Sequence, residues 1–235
     1  MDGAVPGGAV PGGAAAGTVD RGHGGLRAWW TPGVSTTRRA LALGGIAGPV
    51  GFTAAWVTAG LTGEASPVTA TVSRLAAHGA STRPVMTAGL VTLGLGLGGY
   101  ALALRDDLEG AAWVAALASG LGALGAAAAP LASSEAVDRL HAVVAIAGSA
   151  CLAATPALAA PALARQGRAA AARASLGTAV GAAILLLAAA GPVAPGLLQR
   201  AGLLSGQGWV VASAVAMVKG GSVPQADRGA PTRPG

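Results

Sequence analysis

Charge is what this 235-residue chain has least of: 10% of its residues are Asp, Glu, Lys or Arg, where a soluble domain carries about a quarter. Aromatic residues make up 3% of the chain, so few large side chains are on hand to fill a core. Cysteine occurs once, at Cys151, which excludes an internal disulfide. In the middle of an apolar run, that thiol reads as a small packing residue and not as a nucleophile. No Asp, Glu, Lys, Arg or His falls near the middle of any apolar run. Proton relays and substrate counter-ions usually need such an intramembrane ionisable group. Polar side chains inside the runs are limited to Thr and Ser, such as Thr53, Thr92, Ser119, Ser149, Thr155 and Thr178, plus Gln207, so no continuous polar path is expected.

What remains is apolar and small. Six stretches hold no charged residue at all: Ala40–Thr62, Pro84–Leu104, Ala111–Ala132, Ala142–Ala164, Ala174–Leu198 and Ala201–Val218. Each is near or above the ~20 apolar residues that carry a helix across ~30 Å of hydrocarbon. Six of them leave too little polar chain to wrap a soluble core. The fold class is therefore all-α: a polytopic membrane protein built as a six-transmembrane-helix bundle, with the lipid bilayer as its first partner. A net charge of +6 would point to nucleic acid in a soluble protein; here the positive charges have a topological reading, and no nucleic-acid partner is expected.

That reading comes from counting Lys and Arg between the spans. Arg21, Arg27, Arg38, Arg39, Arg105, Arg165, Arg168, Arg173, Lys219, Arg228 and Arg233 fall on one side, and Arg74, Arg83, Arg139 and Arg200 on the other. The richer side is the cytoplasmic one, which places both termini there, gives an even number of crossings and makes this a multi-pass protein of the cell membrane. The sixth span is the short one and carries Gln207. Residues 1–39 and 219–235 read as disordered cytoplasmic tails flanking a transmembrane domain at 40–218. The first 25 residues repeat Ala-Val-Pro-Gly-Gly and hold no compact apolar region, so the first span is expected to be an uncleaved anchor. Trp29 and Trp30, beside Arg27, suit the headgroup region.

Helices in lipid associate through close backbone approach and dispersion. Gly44/Gly48, Gly94/Gly98 and Gly177/Gly181 each put two glycines on one helical face, and prolines interrupt the first (Pro49), fourth (Pro156, Pro161) and fifth (Pro192, Pro195) runs.

The polar residues that could carry function gather on the outer side. Ser66-Pro67 has the pattern of a helix start, with a Ser cap and Pro at the first helical position. Val68, Val72, Leu75 and Ala76 follow at helical spacing, with Thr71, Arg74 and His78 on the opposite side; Thr71, Ser73, Arg74 and His78 are candidate site residues. A short amphipathic helix over 67–78 is predicted, lying on the outer surface or over the bundle mouth and stopped by Gly79. In the second outer loop, Ser133 or Ser134 can cap the fourth span, with Glu135 and Asp138 favoured in its first turn by the helix dipole. The same loop also permits a site: His141, Asp138, Glu135 and His78 could gather at one membrane face as an acid–base or zinc centre, although their spacing matches no ligand motif. No metal or other cofactor is expected. His141 is expected to meet external solvent.

The segment Ser66-Pro67-Val68-Thr69-Ala70-Thr71-Val72-Ser73-Arg74-Leu75-Ala76-Ala77-His78-Gly79-Ala80, followed by the second span, resembles the bacterial membrane family called domain of unknown function 998. Gly48-Pro49, Pro130 and His141 fit the same pattern, which covers roughly residues 40–218. The resemblance implies about six spans and no particular activity. It departs at Arg74, where the family usually has an acid, and at Ala132-Ser133, where it tends to have an Asp after Pro130. The leading functional expectation is non-enzymatic contact with lipid, a membrane partner or a second copy through the outer face. The alternatives are a small transporter or channel and, behind it, an outer-face metal-dependent hydrolase centred on His141.

Overall fold

A computed structural model describes residues 36–62 and 66–219; of the two predicted tails, residues 1–35, with the Trp29-Trp30 pair, and 220–235 lie outside the described residues, while residues 36–39 are helical. Within them the chain is helical and has no strand. The helices are α1 (Thr36–Thr62), α2 (Val72–Leu75), α3 (Arg83–Asp107), α4 (Ala112–Ala128), α5 (Glu135–Arg165), α6 (Ala169–Ala188) and α7 (Pro195–Val218). Five of these are long and apolar enough to cross a membrane, and α4 is a shorter apolar helix of 17 residues. That length sits at the lower limit of about 17 residues for a crossing.

Short connections make neighbours antiparallel. Arg38 pairs with Asp107 and Gln166 Nε2 donates to the Asp107 carbonyl at 3.3 Å, which gathers the start of α1, the end of α3 and the end of α5 at one end of the bundle. This is termed the near end, and the opposite one, carrying residues 66–82, 129–134 and 189–194, the far end. The near-end turns are tight, and Gly110 and Gly167 take φ values of +108° and +76° that an L side chain resists. At the far end Ala132 and Ala194 occupy the left-handed region without that relief, at φ 61° and 47°.

Several helix contacts are backbone against backbone. A Cβ on Gly44 would meet the Gly96 carbonyl oxygen at 2.6 Å, and one on Gly122 would meet the Gly148 Cα at 2.6 Å, so α1–α3 and α4–α5 pack at distances only glycine permits. Gly94 does the same against Leu124 of α4. The predicted Gly177/Gly181 pair does not: among the described residues nothing lies within 4 Å of the position a Cβ would take on either. Larger side chains close the remaining volume, with Met86, Leu97, Tyr100, Leu104 and Val210 fully buried.

Two sequence expectations are corrected. Only Val72–Leu75 of the predicted 67–78 helix is helical; residues 66–71 form turns, with Ser66 Oγ accepting from Val68 N–H at 3.3 Å and Ala70 N–H reaching the Ser66 carbonyl at 2.8 Å. The fifth and sixth apolar runs are also divided differently. α6 ends at Ala188, and Pro195 is the first residue of α7 rather than an interruption of α6. Proline fixes φ and lacks an N–H, so it breaks a helix interior and starts one without cost. The last helix therefore begins ahead of Gln199 and Arg200 and is 24 residues long, not short. Pro49, Pro156 and Pro161 do lie inside helices, as expected.

Candidate functional site

At the far end, residues 66–82 are drawn down over the bundle by partners far away in sequence. Arg200 Nη1 donates to the carbonyls of Pro67 at 2.6 Å and Ala70 at 2.8 Å, while its guanidinium lies 5.5 Å from the centre of the Trp56 ring. Gln199 Oε1 accepts from Val72 N–H at 2.8 Å, and Leu197 N–H reaches the Val68 carbonyl at 3.1 Å. His78 N–H donates to the Leu131 carbonyl at 2.6 Å, and Thr82 Oγ1 to the Leu75 carbonyl at 2.7 Å. These bonds satisfy backbone groups that an irregular segment would otherwise leave unpaired, and they turn Val72, Leu75 and Ala76 inward to burial.

Beneath the segment lies a crevice of about 70 Å³, bounded by Val72 and Ser73 above, Phe52, Leu90 and Leu93 to one side, and Ser119, His141, Ser149, Gln199 and Leu203 around the rest. Its floor at Ser149 and Leu152 is roughly 20–25 Å below the start of α5 at ~1.5 Å per residue. The crevice reaches Ser149 with a mostly apolar lining, and Thr53 and Thr92 do not line it.

His141 is 3% exposed, not solvent-facing as expected. It sits nearly two turns into α5 and beneath the covering segment. Its Nδ1 is 2.7 Å from the Ala129 carbonyl, an acceptor, so Nδ1 carries the proton. Its Nε2 is buried without a hydrogen-bond partner.

The candidate residues divide among four places. Ser73 and His141 share the crevice. Thr71 lines an adjoining groove between α5 and α6, with Gln199. Glu135 and Asp138 line a shallow depression beside α5, where Glu135 pairs with Arg139, and Ser134 caps the helix by accepting from Val137 N–H at 3.4 Å. Arg74 and His78 are exposed, with His78 Nδ1 3.1 Å from Arg83 Nη1. His78 and His141 share no cavity, and among the described residues no three His, Cys, Asp or Glu side chains converge as a metal site.

The α5–α6 groove is the largest of these hollows, about 670 Å³, walled by Ala150, Ala153, Ala154, Ala157, Ala179 and Ala183 with Val180, Leu186 and Leu187. Ala145, Ser149 and Gln199 line both groove and crevice, so the two adjoin. A separate cavity of about 320 Å³ opens at the near end beside Arg38, Asp107, Arg168, Ser175 and Trp209, whose Nε1 donates to Ser175 Oγ at 2.8 Å. No residue lines both this cavity and the crevice. Along α3 and α7, Leu97, Tyr100 and Val210 fill the interval, and Tyr100 hydroxyl is 2.7 Å from Ser213 Oγ.

Comparison with known proteins identifies the chain. The model of the family described as "Protein of unknown function (DUF998)" matches residues 46–216. The chain belongs to that family. The DUF998 match runs from α1 into the last turn of α7 and so includes the crevice, the groove and the packed layer beneath them. With its run of apolar helices, this DUF998 protein is a multi-pass integral membrane protein. No curated protein and no solved structure matches it.

Sequence reading missed Gln199 and Arg200 because they fall between two apolar runs and look like a loop. Ser119 and Ser149, which stand in the sequence only as scattered polar residues of apolar runs, both border the crevice.

Proposed function

We propose that this protein binds a lipid from its far end, with the head in the His141 crevice and the chain in the α5–α6 groove, and that it carries out no chemistry on it. The observation that carries this is that the two hollows lie side by side and share Ala145, Ser149 and Gln199 in their walls. A recess with a few convergent polar groups beside an alanine-walled groove has the amphipathic layout of a membrane lipid. Small-molecule sites are mostly apolar with a few convergent polar groups, and the lining here has that balance. The positive-inside rule supports a far end facing outward, because the near end holds Arg38, Arg39, Arg105, Arg165, Arg168, Arg173 and Lys219.

Lipid retained through purification and released by native mass spectrometry tests the reading. Ala183→Leu fills the groove and is expected to lower retained lipid several-fold while the protein stays monodisperse. Equal retention in wild type and variant would overturn it.

A second reading, a small transporter, draws on the near-end cavity on the other side of the Leu97, Tyr100 and Val210 layer. It requires that layer to part, and movement of a fluorescent lipid between leaflets of proteoliposomes would reveal it.

A further inference from the structure

We infer that the bound lipid is uncharged and presents a free hydroxyl to His141 Nε2, as a diacylglycerol does. This rests on the lipid-binding reading above and narrows it to a class.

The first observation is hydrogen-bond polarity. Nδ1 of His141 donates to the Ala129 carbonyl, so in the neutral ring Nε2 offers a lone pair and accepts. It is the one atom of that ring left without a partner, in a residue 3% exposed. A buried acceptor left unmatched is costly, and a ligand O–H removes that cost. Gln199 completes the polarity: its Oε1 is occupied by Val72 N–H, so its amide protons remain to donate to the oxygen of the same head or of an ester below it.

The second observation is charge. Neither the crevice nor the groove has an Asp, Glu, Lys or Arg among its lining side chains. Arg200, the nearest cation in sequence to Gln199, donates to the Pro67 and Ala70 carbonyls and lines neither hollow. A phosphate buried there would have no counter-ion, and an ammonium no carboxylate, which is strongly unfavourable at a desolvated site. The third is size. A crevice of about 70 Å³ holds about two water molecules at ~30 Å³ each, enough for a hydroxymethyl group and too little for phosphocholine.

The test uses the full-length protein in phosphatidylcholine nanodiscs doped with one of three lipids of identical chains: dioleoylglycerol, its 3-O-methyl ether, or dioleoylphosphatidic acid. Bound lipid per protein is read by native mass spectrometry. The expected result is about tenfold preference for dioleoylglycerol over the ether, the loss typical of one unmade hydrogen bond to a buried acceptor, with phosphatidic acid held no better than the bulk lipid. His141→Leu should erase the preference while Ala183→Leu lowers binding of every lipid. Because Nδ1 of His141 ties α5 to the end of α4, the variant could fold poorly; the comparison of alcohol with ether on the wild-type protein needs no substitution. Equal binding of alcohol and ether, or a preference for phosphatidic acid, would overturn the neutral-hydroxyl class and leave lipid binding standing. Retention of no lipid at all would bring down both.

Discussion

Arg200 is 5% exposed, yet it is held from two directions, by the carbonyls of Pro67 and Ala70 above and the face of Trp56 beside it. Arg is suited to this position because a planar, weakly hydrated guanidinium can donate in its plane while stacking on an aromatic ring. Arg200→Met removes the donor from both carbonyls at once. Hydrogen bonds to charged groups are worth about 1.5–3 kcal/mol, and a loss of that order is expected in thermal unfolding of the detergent-solubilised protein. Arg200→Lys keeps the charge without the fork and should recover only part of the loss. An unchanged melting temperature would mean that packing of Gly196 against Ala70, with the Leu197–Val68 backbone bond, suffices to hold the segment. Residues of this kind show what a sequence can disclose at this scale. The Ser134 cap was readable because its partner, Val137, is three positions away. The partners of Arg200 lie 130 and 133 positions upstream, and nothing local in Leu-Leu-Gln-Arg-Ala reports them. Burial of His141 was hidden for the same reason, since the segment that covers it comes from the first far-end connection.

At the scale of whole helices, the glycines divide into those that set an interface and those that do not. A Cβ on Gly96 would meet the Gly44 carbonyl oxygen at 2.5 Å and the Gly48 Cα at 2.7 Å, both backbone atoms that cannot swing away. Gly96→Ala is therefore expected to destabilise the protein by about 1–3 kcal/mol, the usual cost of overpacking. Gly181→Ala meets nothing among the described residues and should be neutral or mildly stabilising, since Ala is the better helix former. Parallel thermal melts decide between them; similar losses at both positions would show that α6 has a partner through Gly181. Pattern alone could not separate these two positions, because spacing reports which glycines share a face and not what that face meets. The helices themselves were legible, since an uninterrupted apolar run in lipid has to be helical to satisfy its own backbone. Their limits were less so where no charge marked them: Gly191-Pro192 and Pro195, not a charge, end α6 and begin α7.

For the molecule as a whole, the distribution of arginine is the property that sets its orientation. The structure keeps Arg74, Arg83, Arg139 and Arg200 at the far end, and keeps at the near end those residues of the richer set that are described. Reporters fused at residues 1 and 235 are both expected to read cytoplasm, and a tag inserted at 63–65 to be accessible from outside; a carboxyl-terminal reporter active only outside would remove one crossing, with α4, at 17 residues, the first to doubt. The six-helix plan was therefore readable from charge-free length, whereas the crevice was not, because it is a space left between helices and belongs to no one of them. The layer of Leu97, Tyr100 and Val210 beneath that space has an electrical consequence. A membrane potential of about 100 mV is worth about 2.3 kcal/mol for each elementary charge carried across it. Those three side chains bear no formal charge, so in this layer the potential finds nothing to push. A neutral ligand adds no charge to move, and its arrival and departure should proceed alike in energised and de-energised cells.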